Sequence, residues 1–468
     1  MESRLRREDY FNCIFVLHNR QVGWGLYPTV FLCLRLKGNA MDCKEQFPQV
    51  LNNLLFPKIF QTFRIAIQPG KLIIAFAAMV VICLAGWIMD FSRTVIVTPG
   101  TQGRVTELQI YLANPKHVKI YIENSKKNCE YSGVFTTLLK FFAEKLNGVM
   151  NSLLIFSIAG VIVNITDCFN AMMWALWYHP VYAILFMFIK LAVISAAGGG
   201  ICRLAALQFA RGEKPGIVEA MRYSTKKYFS FFVAPLAVLG AITFIGLFIF
   251  LLGLIGNIPW AGELIIGVFM PLAAMAGALI AVILIGAAAG FTLMFPAIAY
   301  DGSDCFDAIS RSFSYVYERP WRLGFYTLAA AVYGAICYIF VRFFTFILLW
   351  GTHFFMQCGV FTSNGRGINK LSAIWPEPTF ANLFGLSAPA AANWAQSIAA
   401  FFVNLSVLVV IGIVISFLIS FYFSASTIIY ALMRNRVDKT ALEKIYTSLP
   451  DNKTEPTAVK NSSEQAKS

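Results

Sequence analysis

A chain of 468 residues with 58% hydrophobic and only 13% charged side chains falls outside the range of soluble globular proteins, which carry about 25% charged and roughly 45–50% apolar residues. The surplus lies in uninterrupted runs, and about 20 apolar residues span the hydrocarbon core of a bilayer. The formal charge of +14 does not imply nucleic acid as a partner: Lys and Arg gather beside the apolar runs, as in the cytoplasmic loops of membrane proteins.

Residues 1–40 mix charge, Cys and aromatics without a helical or strand period, whereas Met41 opens "MDCKEQFPQVLNNLLFPKIF". The first 40 residues are therefore expected to be an extension, with no ordinary signal peptide. Residues 41–71 read as an amphipathic segment ahead of the first span. Six spanning helices are predicted, at 72–90, 180–202, 229–256, 264–299, 323–350 and 398–433. The fourth and sixth are too long for a perpendicular crossing and should tilt or project.

Short connections predict the orientation. Lys58, Arg64 and Lys71 precede the first span, and the cluster from Arg203 to Lys227 follows the second. Arg311, Arg319 and Arg322 follow the fourth, and Arg434, Arg436 and Lys439 follow the sixth. "GNIPWAGE", between the third and fourth, has no Lys or Arg. The rule that positive loops stay inside then places both termini in the cytoplasm.

The long external loop 91–179 contains "TELQIYL" and "HVKIYIE" around "ANPK". Val118, Ile120 and Ile122 alternate with Lys119, Tyr121 and Glu123, and Asn-Pro marks a turn, so a small external β-hairpin is predicted. Residues 134–177 read as amphipathic helix. Counting 151–177 as a span would move the Arg203–Lys227 cluster outside, so an interfacial position is expected. A second external loop covers 351–397. In the tail 434–468, Leu442, Ile445, Tyr446 and Leu449 predict a short amphipathic helix, followed by a segment of disordered composition from Pro450. Of the cysteines, Cys129, Cys168 and Cys358 fall outside the cytoplasm on this topology, and there is no CxxC pair to indicate zinc or redox chemistry.

A polar, aromatic strip precedes three of the spans. "IFQTFRIAIQPGKL" (59–72) matches "ISRSFSYVYERPWRL" (309–323) at Ile59/Ile309, Thr62/Ser312 and Phe63/Phe313, and, after a one-residue insertion, at Pro69/Pro320 and Lys71/Arg322. "IVEAMRYSTKKYFSFF" (217–232) fits the frame through Ala220/Ala308 and Ser224/Ser312. In the third strip Phe306, Ile309, Phe313 and Val316 share one helical face, Asp304 is a candidate N-cap, and Pro320 ends the helix. Such an elbow lies at the interface and aims the next span. Ser312, Arg311, Arg319, Trp321 and Arg322 are its candidate headgroup contacts.

The pattern "FPAIAYDGSDCFDAISRSFSYVYERPWRL" resembles bacterial multi-pass families of unknown function, the YciC-type inner-membrane proteins and the membrane domain attached to some glycerophosphodiester phosphodiesterases. The match falls on Pro296, Gly302, Ala308, Ser312 and Trp321 and covers about 180–350. It implies a helical cell inner membrane protein and no known activity; the phosphodiesterase catalytic domain is absent.

The fold class expected is an all-α polytopic membrane protein with about six spans, cytoplasmic elbow helices and an external hairpin. His18, His117, His179 and His353 form no metal motif, and no nucleotide loop or paired carboxylates occur. An enzyme is not expected, nor a cofactor. Membrane lipids are the expected partners, with protein partners open. Lys190, in the middle of the second span, is a candidate contact for an anionic ligand or lipid, with Arg342 and Asn404 beside it in rank. The competing reading has Lys190 and Arg342 snorkel or pair inside the bundle and Asn404 bond to a neighbouring helix. The first functional expectation is envelope organisation or partner binding; the alternative is a transporter or lipid-handling protein.

Overall fold

The computed structural model describes residues 56–100, 103–125, 130–360, 370–383 and 393–446; the expectations for 1–40 and for the tail from Pro450 lie outside them. A 3-10 turn (Phe56–Phe60) and α1 (Gln61–Ala66) lead into α2 (Pro69–Met89). Next come β1 (Val95–Gly100), β2 (Gly103–Thr106), α3 (Glu107–Ala113), α4 (Val118–Ser125) and β3 (Glu130–Ser132). The rest is helical: α5 (Val134–Leu154), α6 (Ile158–Tyr178), α7 (Pro180–Arg211), α8 (Ile217–Lys226) and α9 (Tyr228–Ile255). Then follow α10 (Ala261–Asp301), α11 (Cys305–Glu318), α12 (Pro320–Gly359), α13 (Lys370–Ile374) and α14 (Trp394–Val437). Among the described residues, α2, α6, α7, α9, α10, α12 and α14 are long and apolar enough to cross a membrane. The chain is an all-α polytopic membrane protein.

Four helices exceed the length a bilayer needs by about twelve residues or more. α7, α10, α12 and α14 have 32, 41, 40 and 44 residues, against about 20 for one crossing. The surplus turns of α7, α10 and α14 pack on one another at the end where Arg203, Arg311 and Arg434 gather, here termed the basic end. Ile201, Cys202, Ala205, Tyr300, Tyr430 and Met433 are fully buried there. Toward the far end, α9 and α10 leave Phe244, Phe248, Leu264 and Leu272 exposed. Lipid tails accept such side chains without penalty, so close packing concentrates where polar groups need it.

The three sequence strips become α1, α8 and α11. α8 folds back on α7, α11 on α10 and α1 on α14, so the last helix in the chain backs the first elbow. Thr62, Ser224 and Ser312 are all completely buried. Their hydroxyls donate to Ile59 O (2.6 Å), Ala196 O (2.6 Å) and Ala308 O (2.7 Å). Close approach requires a missing side chain opposite: a Cβ on Gly199 would sit 2.5 Å from Ser224 Oγ.

The buried face of α11 differs from the expected one. Ala308, Ser312, Tyr315 and Val316 are buried, Ile309 and Phe313 are partly so, and Phe306 is exposed. Small residues allow helix-on-helix contact, and the bulkier Phe306 is left outside. Asp304 occupies the N-cap position but makes no capping bond; its carboxylate takes Lys227 Nζ at 3.2 Å.

Asp301 organises the basic end. Its carboxylate pairs with Arg434 Nη2 (3.1 Å) and Arg311 Nη1 (3.0 Å) and accepts from the Tyr430 hydroxyl. Gly302, left-handed at φ 66°, ends α10 directly afterward. The predicted helix around Leu442 does not form among the described residues, and Leu449 lies outside them. Residues 438–446 run as an irregular strap. Its carbonyls are taken by side chains: Lys444 O by Arg434 Nη1 (2.7 Å), Tyr446 O by Arg203 Nη2 (2.7 Å) and Leu442 O by the Tyr300 hydroxyl. These outside donors replace the helix's own hydrogen bonds.

At the far end, the predicted hairpin segments are helices α3 and α4. A capping box of Thr106 and Gln109 starts α3, and Asn114 Oδ1 accepts from Lys116 N–H (3.1 Å) in the helical turn that leads into α4; such local capping outweighs a short alternation of apolar residues. The sheet brackets them, with β1 and β2 before α3 and β3 after α4, in order β2-β1-β3, both pairs antiparallel. Cys168 and Cys358 are free; Cys129 lies outside the described residues.

Helices α5 and α6 form an antiparallel pair fastened at the far end. Asp90, just after α2, accepts from the backbone N–H of Phe135 (2.8 Å) and Thr136 (2.7 Å) at the start of α5, where the helix dipole favours a carboxylate. The end of α6 returns beside the same region, with Trp174 Nε1 on Glu107 (3.1 Å) and His179 Nδ1 by Thr94 Oγ1 (3.2 Å). Start and finish of the pair share one end, and α6, expected as an interfacial segment, is long and apolar enough to cross a membrane. Burial holds His179 down at about 4 and pushes Glu107 up; the 3.7 Å approach of the two joins a neutral imidazole to a carboxyl.

Two outcomes follow. Asp301→Ala leaves Arg434 without its buried partner, a loss of about 3–5 kcal/mol. Asp304→Ala, at an exposed pair, costs about 1 kcal/mol or less. Thermal unfolding in detergent should rank them so; equal midpoints would remove Asp301 from its central place. Because the folded pKa of His179 lies below its ordinary 6.5, it contributes stability present above 6.5 and lost as pH falls toward 4. The raised Glu107 acts in the opposite sense. His179→Gln should therefore flatten the acid loss relative to wild type in that window; parallel curves would refute it.

A candidate intramembrane site

Lys190 lies on α7 about ten residues, or roughly 15 Å at the helical rise, from Pro180. It lines a cavity of about 580 Å³ bounded by α2, α7, α10 and α14. Phe295 and Phe423 form part of the wall, their rings 5.8 Å apart, with Phe231 packed behind Phe295 at 5.4 Å. Ala78 and Ala197 separate this space from a second groove of about 510 Å³ between α2, α7 and α8, lined entirely by apolar residues. Both volumes fall within the roughly 300–1,000 Å³ of small-molecule sites.

Little polarity reaches the first cavity. Thr292 turns its hydroxyl to Ala289 O of its own helix, at 3.4 Å. Tyr422 brings a phenol, and Lys190 the only cation on the wall. Lys190 is half-buried and makes no hydrogen bond or ion pair among the described residues. An ammonium at such depth is costly unless a water-filled space or an anion compensates it. Lys190 and Tyr422 supply donors and the walls supply apolar surface, an arrangement that suits an acid group on a hydrophobic body.

The other sequence candidates do not join this site. Arg342 is buried in α12, and its donors are spent on neutral acceptors: Phe380 O (3.1 Å), Ala381 O (2.9 Å), Tyr338 Oη (2.9 Å) and Asn147 Oδ1 (2.8 Å). It ties α5 and the 380–381 loop to α12. Asn404 is exposed on α14 and makes no interhelical hydrogen bond among the described residues, because the packed face of α14 there is the one with Val403 and Val407, which cluster with Leu349 and Trp375. Ser312 is sealed in the α10–α11 contact and cannot meet a headgroup. Arg311 is engaged by Asp301 and Asp307, both at 3.0 Å. Arg319 and Trp321 remain exposed and Arg322 half-exposed, as an interfacial role requires.

Lys71, read in the sequence as a loop cation, is fully buried; its Nζ donates to Ile65 O (2.8 Å) and Gln208 Oε1 (2.7 Å). Its partner lies on α7, far along the chain, so no local signal announces the pairing. Among the described residues no group of His, Cys, Asp or Glu could hold a metal ion. No family model, curated protein or solved structure matches the chain.

Arg342→Gln should loosen the 375–383 loop without emptying the cavity. Limited proteolysis should show faster cleavage in that loop, with lipid content equal to wild type. Loss of bound lipid in this variant would join Arg342 to the Lys190 site after all.

Proposed function

We propose that this integral membrane protein binds and handles an anionic amphiphile, a lipid or lipid-like acid, whose charged group pairs with Lys190 while its apolar body fills the adjoining cavity. The carrying observation is an unpaired ammonium on an otherwise apolar, lipid-depth wall. The reading is non-enzymatic: among the described residues the cavity wall sets only the Tyr422 phenol and the Thr292 hydroxyl with Lys190, and no carboxylate, histidine or cysteine lines it. The asymmetry of Lys and Arg supports a cytoplasmic basic end, with both termini on that side. The resemblance to inner-membrane families supports a cell inner membrane location, and the three buried Thr62, Ser224 and Ser312 positions support an internally repeated, amphipathic elbow.

A protein partner in envelope organisation is the second reading. Gly240, Gly246, Gly253, Gly267 and Gly277 meet nothing within 4 Å, although each glycine inside a helix costs about 1 kcal/mol against alanine. Among the described residues nothing packs on that surface of α9 and α10.

Native mass spectrometry of protein extracted in mild detergent separates the two readings. The amphiphile reading expects a specific anionic species on wild type, kept by Lys190→Arg and reduced at least about tenfold by Lys190→Leu, the loss of one charge-assisted contact. Bulk lipid alone, equal in all three proteins, would contradict it, and a stoichiometric co-purifying protein would then favour the second reading.

A further inference from the structure

A separate charge imbalance stands at the basic end. Arg203 is buried on α7, donating Nη1 to Ala299 O (2.9 Å) and Nη2 to Tyr446 O (2.7 Å), with its guanidinium 4.3 Å from the centre of the Tyr223 ring. No described carboxylate lies within ion-pair distance of it. The other two buried arginines are provided for: Arg434 has Asp301, and Arg342 has four neutral acceptors. A buried cation without a counter-charge is expensive.

Arg203 opens on a hollow of about 80 Å³ between α7 and α8, also lined by Arg222, Lys226, Tyr223 and Glu219. Among the described residues the lining holds three cations and one carboxylate. Arg222 and Lys226 stand one helical turn apart, where like charges repel, and neither makes an ion pair among the described residues. Neighbouring Lys227 is neutralised by Asp304 at 3.2 Å. The next elbow meets the same difficulty internally, since Arg311 carries two aspartates. In the α8 elbow the one carboxylate, Glu219, lines the hollow but forms no ion pair with its three cations among the described residues.

We propose that this hollow is an anion site for a phosphate group, held by Arg203 from below and by Arg222 and Lys226 at the rim. Its volume of about 80 Å³ has room for one tetrahedral oxyanion. Arginine's planar fork matches phosphate oxygens. Val218 and Phe229, both more than three-quarters exposed, flank the site on the surface of α8 and at the start of α9, where a membrane interface would cover them. The phosphate therefore comes from a lipid headgroup or from solution.

The full chain is tested in two arms. In phosphatidylcholine nanodiscs, inorganic phosphate is titrated while thermal unfolding is followed. In detergent supplied with phosphatidylglycerol, retained lipid is counted by mass spectrometry. Wild type is compared with Arg222→Gln/Lys226→Gln, which leaves Arg203 and its carbonyl contacts in place, and with Glu219→Gln, which removes the opposing charge. The site predicts about tenfold weaker binding in the double variant and several-fold tighter binding in Glu219→Gln. That pattern with inorganic phosphate identifies a free-anion site; the same pattern with phosphatidylglycerol alone identifies a headgroup site. Equal binding by all three proteins in both arms overturns the proposal.

Discussion

The Asp301 carboxylate, sealed where α10 ends, is the interaction on which the basic end depends. Arg434 reaches it from α14, Arg311 from α11 and Tyr430 from one turn earlier on α14. One acid thus fixes the ends of two long helices and an elbow. The strap at 438–446 is held by the same groups, because Arg434 also binds Lys444 O. Buried ion pairs seldom stabilise a fold more than apolar packing would. What this one supplies is register: α10 and α14 can be matched in only one way if Asp301 is to meet Arg434.

The solvent explains why such pairing occurs at one end. In lipid, apolar side chains gain nothing by leaving the bilayer for a neighbour, so α9 and α10, packed on each other, leave their outer faces exposed toward the far end. Polar groups have no such freedom and draw the helices together wherever they occur. Each buried cation then meets its cost differently. Arg434 has a carboxylate, Arg342 and Lys71 have neutral acceptors, and Arg203 has two carbonyls and an electropositive hollow. Lys190 alone in this set has no partner among the described residues, and it stands beside a cavity of about 580 Å³ in contact with four helices. The two binding proposals are thus one argument applied at two depths: a charge left unpaired among the described residues points to an anion from outside.

The long apolar runs made the spanning helices readable from the sequence, because twenty apolar residues in succession have few other uses. Their ends were less so. The turns beyond 202 in α7 and beyond 350 in α12 contain enough polar residues to look like loop, and only tertiary contacts reveal them as helix. The hairpin expected at 106–123 fell to the capping box at Thr106, a signal present in the sequence but masked by the alternation of Val118, Ile120 and Ile122. The helix expected around Leu442 gave way to distant donors on Arg434, Arg203 and Tyr300, which no local pattern discloses. Lys190 stood out because a charge in an apolar run is conspicuous. Arg203 did not, since at the edge of a basic loop it looks like any other positive residue; its burial is a tertiary fact.

The most direct measurement is a high-resolution density map of the full chain in nanodiscs of native lipid. The account predicts elongated density in the cavity between α2, α7, α10 and α14, with its polar end within about 4 Å of Lys190 Nζ, an ion-pair distance. A cavity filled only by lipid tails, with the Lys190 ammonium turned away toward the bilayer surface, would contradict it.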